Sequence, residues 1–168
     1  MKFFFLLFLS LNVKASPHPT AGSTLLNTVQ NSAVFSQLGF ELNKIPTEWQ
    51  LQNPIETSLL AMGPKNKTIL SFQIESTTPS TNLEKYVRQY LRDYNQYGFE
   101  VIGLQSLAKT KNNTVVVDLI QKNKTVKSRQ VFYKKNSEIL LATCIDNFEN
   151  FDRTINTCNE VLGTLRWK

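Results

Sequence analysis

Between residues 99 and 146 the chain is a succession of four apolar-rich segments separated by short polar ones. Each segment is rich in β-branched and aromatic residues, a composition typical of strands. The polar connections contain Asn or Ser, which favour turn geometry, and they are too short for the crossover that joins parallel strands. The pattern therefore predicts four consecutive antiparallel strands, at 99–107, 114–120, 126–133 and 138–145.

A second β pattern lies towards the N-terminus. Phe40 and Leu42 alternate with polar residues before Pro46, which predicts a strand ending in a turn that leads to Trp49. The segment 49–52 continues as a strand, and 57–62 forms a hairpin with 68–74. These strands extend the predicted sheet.

Two segments have helical rather than strand periodicity. Thr81 and Glu84 have the spacing of a capping box, and apolar residues then recur at helical intervals towards Gly98, which can close a helix in the left-handed conformation. The tyrosines of this segment form either a recognition stripe or, as we prefer, a row of rings packed on the sheet. The second segment has an apolar stripe that predicts a helix of about five turns lying flat on the sheet. Its members are Phe148, Phe151, Ile155, Cys158, Leu162 and Leu165.

These elements predict an α+β fold in which an antiparallel sheet of about six to seven strands is flanked by helices. A chain of 168 residues has the length of one domain and buries enough surface to be stable without a disulfide or a metal. We place that single domain at 39–168.

The first fifteen residues have the features of a signal peptide. Lys2 supplies the positive start, residues 3–13 are apolar, and small residues follow at the junction. The alternative is a membrane anchor, but the apolar run is shorter than the roughly 20 residues that a spanning helix needs. We expect removal of 1–15, a mature start near Ser16, and a flexible lead at 16–38 whose part 24–38 has the scattered apolar residues of a short helix. The mature protein is then exported to the periplasm or the medium, with no membrane-spanning segment.

The charge distribution allows two interpretations. Without Lys2 and Lys14 the mature chain has 17 basic and 13 acidic residues, and residues 109–135 contain eight of the basic residues against a single acid, Asp118. Lys127 and Arg129 alternate on one predicted strand and form a candidate basic face for an anionic partner. The other lysines fall in turns at opposite ends of the meander, where solvation explains them. We therefore prefer solvated turns and predict no nucleic-acid partner.

The two cysteines are placed to meet. Cys144 lies near the end of the last predicted strand, and Cys158 lies on the apolar stripe of the helix that follows. In an oxidising compartment this placement favours a disulfide over two separate buried thiols, and closing the loop would add about 3 kcal/mol of stability. A redox role is not indicated, because no C-x-x-C spacing is present.

The sequence contains no constellation typical of an enzyme. Its one histidine, His18, lies in the lead, and no Gly-rich phosphate loop, zinc-ligand cluster or nucleophile elbow occurs. Paired carboxylates remain as a hydrolase alternative, at Asp146, Glu149 and Asp152. Acids at the start of a helix are more simply explained by the helix dipole. We predict no catalytic residue, no metal and no cofactor.

The order of elements resembles the PsbP/Mog1-like fold, including small exported bacterial proteins related to DcrB. The resemblance covers about 39–167. It rests on the segment from Phe40 through Pro46 to Trp49, the helix start at 82–87, the strand 129–133 and a closing helix after Asp146-Asn-Phe148. It implies an α/β/α sandwich and a binding, chaperone or assembly module without catalytic residues. Fold analogy assigns no site residue.

Two functional interpretations follow. The first is an exported, non-catalytic accessory module that engages a protein partner or client in the bacterial envelope or outside the cell. The second is a secreted effector released by two-step secretion. The first predicts an exposed apolar or aromatic patch between the sheet and its helices.

Overall fold

The structure is a computed structural model that describes residues 32–35, 38–47, 49–51, 59–62, 68–107 and 113–168. The predicted signal peptide, and most of the lead, lie outside these residues. The described strands are β1 (Ser32–Phe35), β2 (Phe40–Asn43), β3 (Gln50–Leu51), β4 (Leu59–Met62), β5 (Ile69–Ser76), β6 (Phe99–Ser106), β7 (Asn113–Gln121), β8 (Val126–Lys135), β9 (Glu138–Asn147) and β10 (Arg166–Trp167). The helices are α1 (Leu83–Leu91) and α2 (Phe151–Leu162).

The predicted meander forms one half of the main sheet. Seven of the described strands pair in the order β3-β4-β5-β9-β8-β7-β6, and every neighbouring pair is antiparallel. The turn between β8 and β9 is short, and Asn136 takes a positive φ there, a conformation that Asn tolerates better than most residues. The four strands from 99 to 147 are therefore confirmed, and with them the sheet of six to seven strands.

The sheet is buried on both faces because its central strands place apolar side chains on each face. On the face here called the α1 face, α1 packs its buried residues against β7, β8 and β9, where the partners include Val117, Phe132 and Leu141. On the opposite α2 face, α2 packs against Val131 and Ala142 among others. The helices therefore lie on the two sides of the sheet, as in the α/β/α sandwich that the resemblance implies.

A second, smaller sheet was not predicted. Strands β1, β2 and β10 pair antiparallel in the order β1-β2-β10, and the sheet shares the α2 layer. Phe40 of β2 packs its ring against Phe72 of β5, with centroids 5.0 Å apart. The predicted strand at 40–42 is thus real but belongs to this sheet. Residues 32–35, within the stretch expected to be a short helix, are a strand paired with β2.

The helix boundaries differ from the prediction for local reasons. The N-cap of α1 is Asn82, whose Oδ1 accepts from the Lys85 amide at 2.9 Å. The Thr81 hydroxyl is instead engaged with Thr78, and Glu84 accepts from Arg88, so the predicted capping box does not form. Helix α1 ends at Leu91, and Gly98, at φ +81°, serves the turn that enters β6.

Helix α2 is shorter than the predicted five turns. It begins at Phe151, and the predicted stripe member Phe148 is 40% exposed ahead of it. The other stripe members, Phe151, Ile155, Cys158, Leu162 and Leu165, are buried. The apolar side of this helix therefore packs on the sheet as the periodicity predicts.

Substitution of Phe132 tests the packing of the core on the α1 face. Its side chain is fully buried and packs edge-on against the rings of Tyr86 and Tyr90. We expect Phe132→Ala to lower the free energy of unfolding by about 3–5 kcal/mol, measured by urea denaturation. Tyr97→Ala, which removes an aromatic ring that is 62% exposed, should change it by less than about 0.5 kcal/mol. Similar losses in the two variants would contradict this packing.

Candidate binding groove

A groove of about 650 Å³ opens on the α2 face beside the C-terminal end of α2. Strands β6, β7 and β8 form its floor, and the residues around the end of α2 form one wall. Much of the lining is apolar and comes from Val116, Val131, Leu162 and Leu165. We call this concavity, which also contains the residues described next, the binding groove.

An ion pair lies in the groove. Asp118 and Arg129 stand directly opposite each other on β7 and β8. The Arg129 guanidinium donates to both carboxylate oxygens of Asp118, from Nε at 2.7 Å and from Nη2 at 2.9 Å. A third donor, Nη1, reaches Oδ1 of Asn159 on α2 at 3.2 Å. The hydrogen bonds that Arg129 donates to Asp118 raise the pKa of the guanidinium, and the opposite charges make the pair nearly neutral in sum.

Gly103 leaves the carboxylate of this pair uncovered. It lies opposite Asp118 on β6, just after a register shift in the ladder. A Cβ at this position would stand 3.6 Å from Oδ2 of Asp118, in ordinary contact. Any larger side chain would extend over the ion pair, so glycine here keeps the groove open.

Tyr133 supplies a hydroxyl group to the groove. Tyr133 as a whole is only 9% exposed, and it lines the groove beside Val131. Among the described residues we find no hydrogen-bond partner for this hydroxyl, whereas burial raises its pKa and so keeps the phenol protonated. Tyr133 is therefore a candidate donor or acceptor for an occupant.

The two predicted basic residues lie on the α2 face but serve different places. Arg129 is part of the groove. Lys127 lies outside it, with its Nζ 2.7 Å from Oδ1 of Asp152 and 5.2 Å from the ring centre of Phe151 at the start of α2. Each cation is next to a carboxylate, which reduces the positive potential that this face presents.

The three acids of the hydrolase alternative occupy different environments. Asp146 is buried, and its carboxylate accepts from the hydroxyls of Thr68 and Thr154 and from the Asn147 amide. Glu149 is exposed, and Asp152 is engaged by Lys127. None of the three lines the groove. The hydrogen bonds of Asp146 instead tie the first turns of α2 to the sheet.

A disulfide also holds α2 on the sheet. Cys144 of β9 and Cys158 of α2 are joined, with their Cα atoms 6.4 Å apart, and neither is exposed. The bridge lies on the α2 face among the apolar side chains of that core. Together with Asp146 it sets where α2 lies, and hence where the groove wall stands.

The groove was not predicted from the sequence, although one part of it, the Asp118–Arg129 pair, could have been. A hairpin centred on the predicted turn at 122–125 places residue 118 opposite residue 129, so the Asp118–Arg129 pair follows from register alone. The contributions of Gly103, Tyr133 and Asn159 depend on how far α2 reaches across the sheet. No local pattern encodes that reach.

The described ranges contain neither a metal-ligand cluster nor a membrane-spanning helix. No group of three or more His, Cys, Asp or Glu side chains there is arranged to hold a metal ion. Neither helix of the described chain is long and apolar enough to cross a membrane.

Comparison with solved structures identifies the fold. The solution structure of cyanobacterial PsbP (CyanoP) from Synechocystis sp. PCC 6803 matches with a TM-score of 0.67 and 10% identity, over 91% of this chain and 100% of that one. PA94, a protein of unknown function from Pseudomonas aeruginosa, matches with a TM-score of 0.53 and 13% identity, over 72% of this chain and 98% of its own. No family model and no curated protein matches the chain. The chain therefore has the PsbP-like fold that the sequence resemblance implies.

A double-mutant cycle measures the interaction energy between Asp118 and Arg129. Asp118→Asn leaves the partly buried Arg129 without its counter-charge, so we expect a loss of about 1–2 kcal/mol in the free energy of unfolding. The cycle that adds Arg129→Gln should give a coupling energy of about 1 kcal/mol. The same cycle on the exposed pair Glu84–Arg88 is the control and should give less than about 0.5 kcal/mol. Equal coupling in both cycles would show that the groove pair is no stronger than a surface pair.

Proposed function

We propose that this protein is an exported, non-catalytic accessory module that engages a protein partner or client, in the bacterial envelope or outside the cell, through the binding groove. The observation that carries the proposal is the uncovered strip of sheet beside α2. It combines apolar side chains, such as those of Val116 and Val131, with the polar atoms of Tyr133, Asn159 and the Asp118–Arg129 pair. Ligand sites are commonly concave and apolar, with a few polar groups that fix orientation.

The chemistry of the groove suits a segment of polypeptide. Val116, Val131 and Leu162 offer surface for apolar side chains. The polar groups are nearly neutral in sum, because Arg129 is matched by Asp118, and such a site favours amide groups over strongly charged ligands. Tyr133 and Gln105 add hydrogen-bonding capacity at two further points of the lining.

The polar groups of the groove are poorly suited to hydrolysis. Both oxygens of the Asp118 carboxylate accept hydrogen bonds from Arg129, which leaves the carboxylate poorly placed to accept a proton as a general base. The burial of Tyr133 raises its pKa and disfavours the phenolate that would act as a nucleophile. These features support binding rather than turnover.

Two features support export. Residues 1–15 have the composition of a signal peptide, and the Cys144–Cys158 disulfide is of the kind that persists in oxidising compartments. A resident envelope protein and a released effector share both features. They differ in where the mature protein accumulates.

Site-specific photocrosslinking tests the partner. A benzoyl-phenylalanine in place of Gln105, an exposed groove residue on β6, should form an adduct with one or a few discrete proteins in cells of the source organism. The matched control is the same probe at Arg153, which is exposed on α2 and does not line the groove. Mass spectrometry of the adducts identifies the partner. No adduct at 105 in envelope or medium, or equal adducts at both positions, would contradict the proposal.

Cell fractionation tests where the mature protein is located. We expect the mature protein in the periplasm or the medium, with an N-terminus near Ser16 and a mass lower by two hydrogens than that of the reduced chain. N-terminal sequencing and intact-mass measurement with and without reductant give both values. A full-length protein that stays in the cytosol with free thiols would rule out export.

A further inference from the structure

Strand β6 is an exposed edge of the main sheet. It pairs with β7 on one side, and no described strand lies on the other. Exposed edges invite pairing, and proteins commonly protect them with Lys or Pro. None of the eight residues Phe99–Ser106 is Lys, Arg or Pro. Three of the four exposed large apolar residues of the described structure lie on this edge or just before it, namely Tyr97, Val101 and Ile102.

The ladder with β7 fixes which backbone groups of β6 face outward. Leu107 donates to Thr114, and Lys122 donates to Gly98, so these two pairs are hydrogen-bonded positions. In an antiparallel ladder such positions alternate with positions whose N–H and C=O point away from the partner. Counting from both ends, with the register shift between Val101 and Gly103, gives four outward positions: Phe99, Val101, Leu104 and Ser106.

The spacing of these outward groups is the same in both directions. The intervals are two, three and two residues, because the extra residue of the bulge lies at the centre of the strand. A second antiparallel copy of β6 therefore matches every outward position, with Val101 opposite Leu104 and Phe99 opposite Ser106. A regular strand, whose outward groups recur every two residues, matches on only one side of the bulge.

We propose that β6 is a self-association edge, through which two copies of this chain pair antiparallel about a two-fold axis between Ile102 and Gly103. The same patch on both subunits forms the interface, as two-fold symmetry requires. The pairing makes one continuous sheet through both molecules, held by backbone hydrogen bonds at the four matched pairs. This proposal does not rest on the proposed function.

The side chains agree with this register. Val101 faces Leu104 of the second copy, which adds an apolar cross-strand pair on the α1 face. Glu100 faces Gln105, so no like charges oppose each other. Ile102 lies next to the two-fold axis opposite Gly103, where the missing side chain leaves room. The half-exposed Ile102 side chain thereby gains cover that the monomer does not give it.

A proline substitution separates association from folding. Sedimentation equilibrium of the mature wild-type protein over a range of concentrations should show a monomer–dimer equilibrium. Val101→Pro removes an outward N–H that the monomer does not use, so the fold should persist by circular dichroism while the dimer dissociation constant rises at least about tenfold. A wild-type protein that is monomeric at every concentration, or a dimer unaffected by this change, would overturn the proposal.

Charge complementation tests the two-fold axis without proline. Ile102→Lys and Ile102→Glu each place like charges beside the axis and should each weaken the dimer, whereas an equimolar mixture should restore association at low salt. Phe148→Lys, which changes an exposed apolar residue away from β6, should leave the wild-type equilibrium unchanged. Failure of the mixture to associate, or weakening by Phe148→Lys, would place the interface elsewhere. A protein adduct at Gln105 whose mass is twice that of this chain would report this dimer and not the functional partner.

Discussion

The structure depends on the two-sided burial of the β8–β9 hairpin. Successive residues on a strand point to opposite faces, so a strand that is apolar at every position needs a packing layer on each side. Val131, Phe132 and Tyr133 of β8 are all buried, as are Leu140, Leu141 and Ala142 of β9. These two strands therefore require both layers, α1 on one side and α2 with the small sheet on the other.

The groove follows from the width of those layers. A helix with its side chains is about 10 Å wide, and neighbouring strands are about 4.8 Å apart, so one helix covers roughly two strands. On the α2 face the small sheet covers the β5 side, and α2 lies over the centre, fixed by the Cys144–Cys158 bridge and by Asp146. Strands β6 and β7 extend beyond that cover. The open strip, with the Asp118–Arg129 pair on it, is the binding groove.

The parts that sequence predicts are those set by neighbours along the chain. Alternation and turn residues located the strands from 99 to 147, and the apolar stripe of 151–165 located α2 and the face it buries. Errors occurred where equivalent local options compete. Thr81 and Asn82 are both good caps, and Asn82 takes the role because Thr78 engages the Thr81 hydroxyl. The second sheet and the groove depend on pairings between distant segments, such as β2 with β10, and on how far α2 reaches. Local periodicity predicts neither these long-range pairings nor the reach of α2.

Native-state hydrogen exchange tests this dependence most directly. If β8 and β9 hold both layers, their amides should be the last to exchange and should open only with global unfolding, while the amides at the β4 end of the sheet and in α1 exchange through smaller openings. Measured by NMR at increasing denaturant, the amides of Val131, Phe132, Leu140 and Leu141 should converge on the free energy of global unfolding. Exchange of these four amides by an opening of lower free energy than that of α1 would contradict the account.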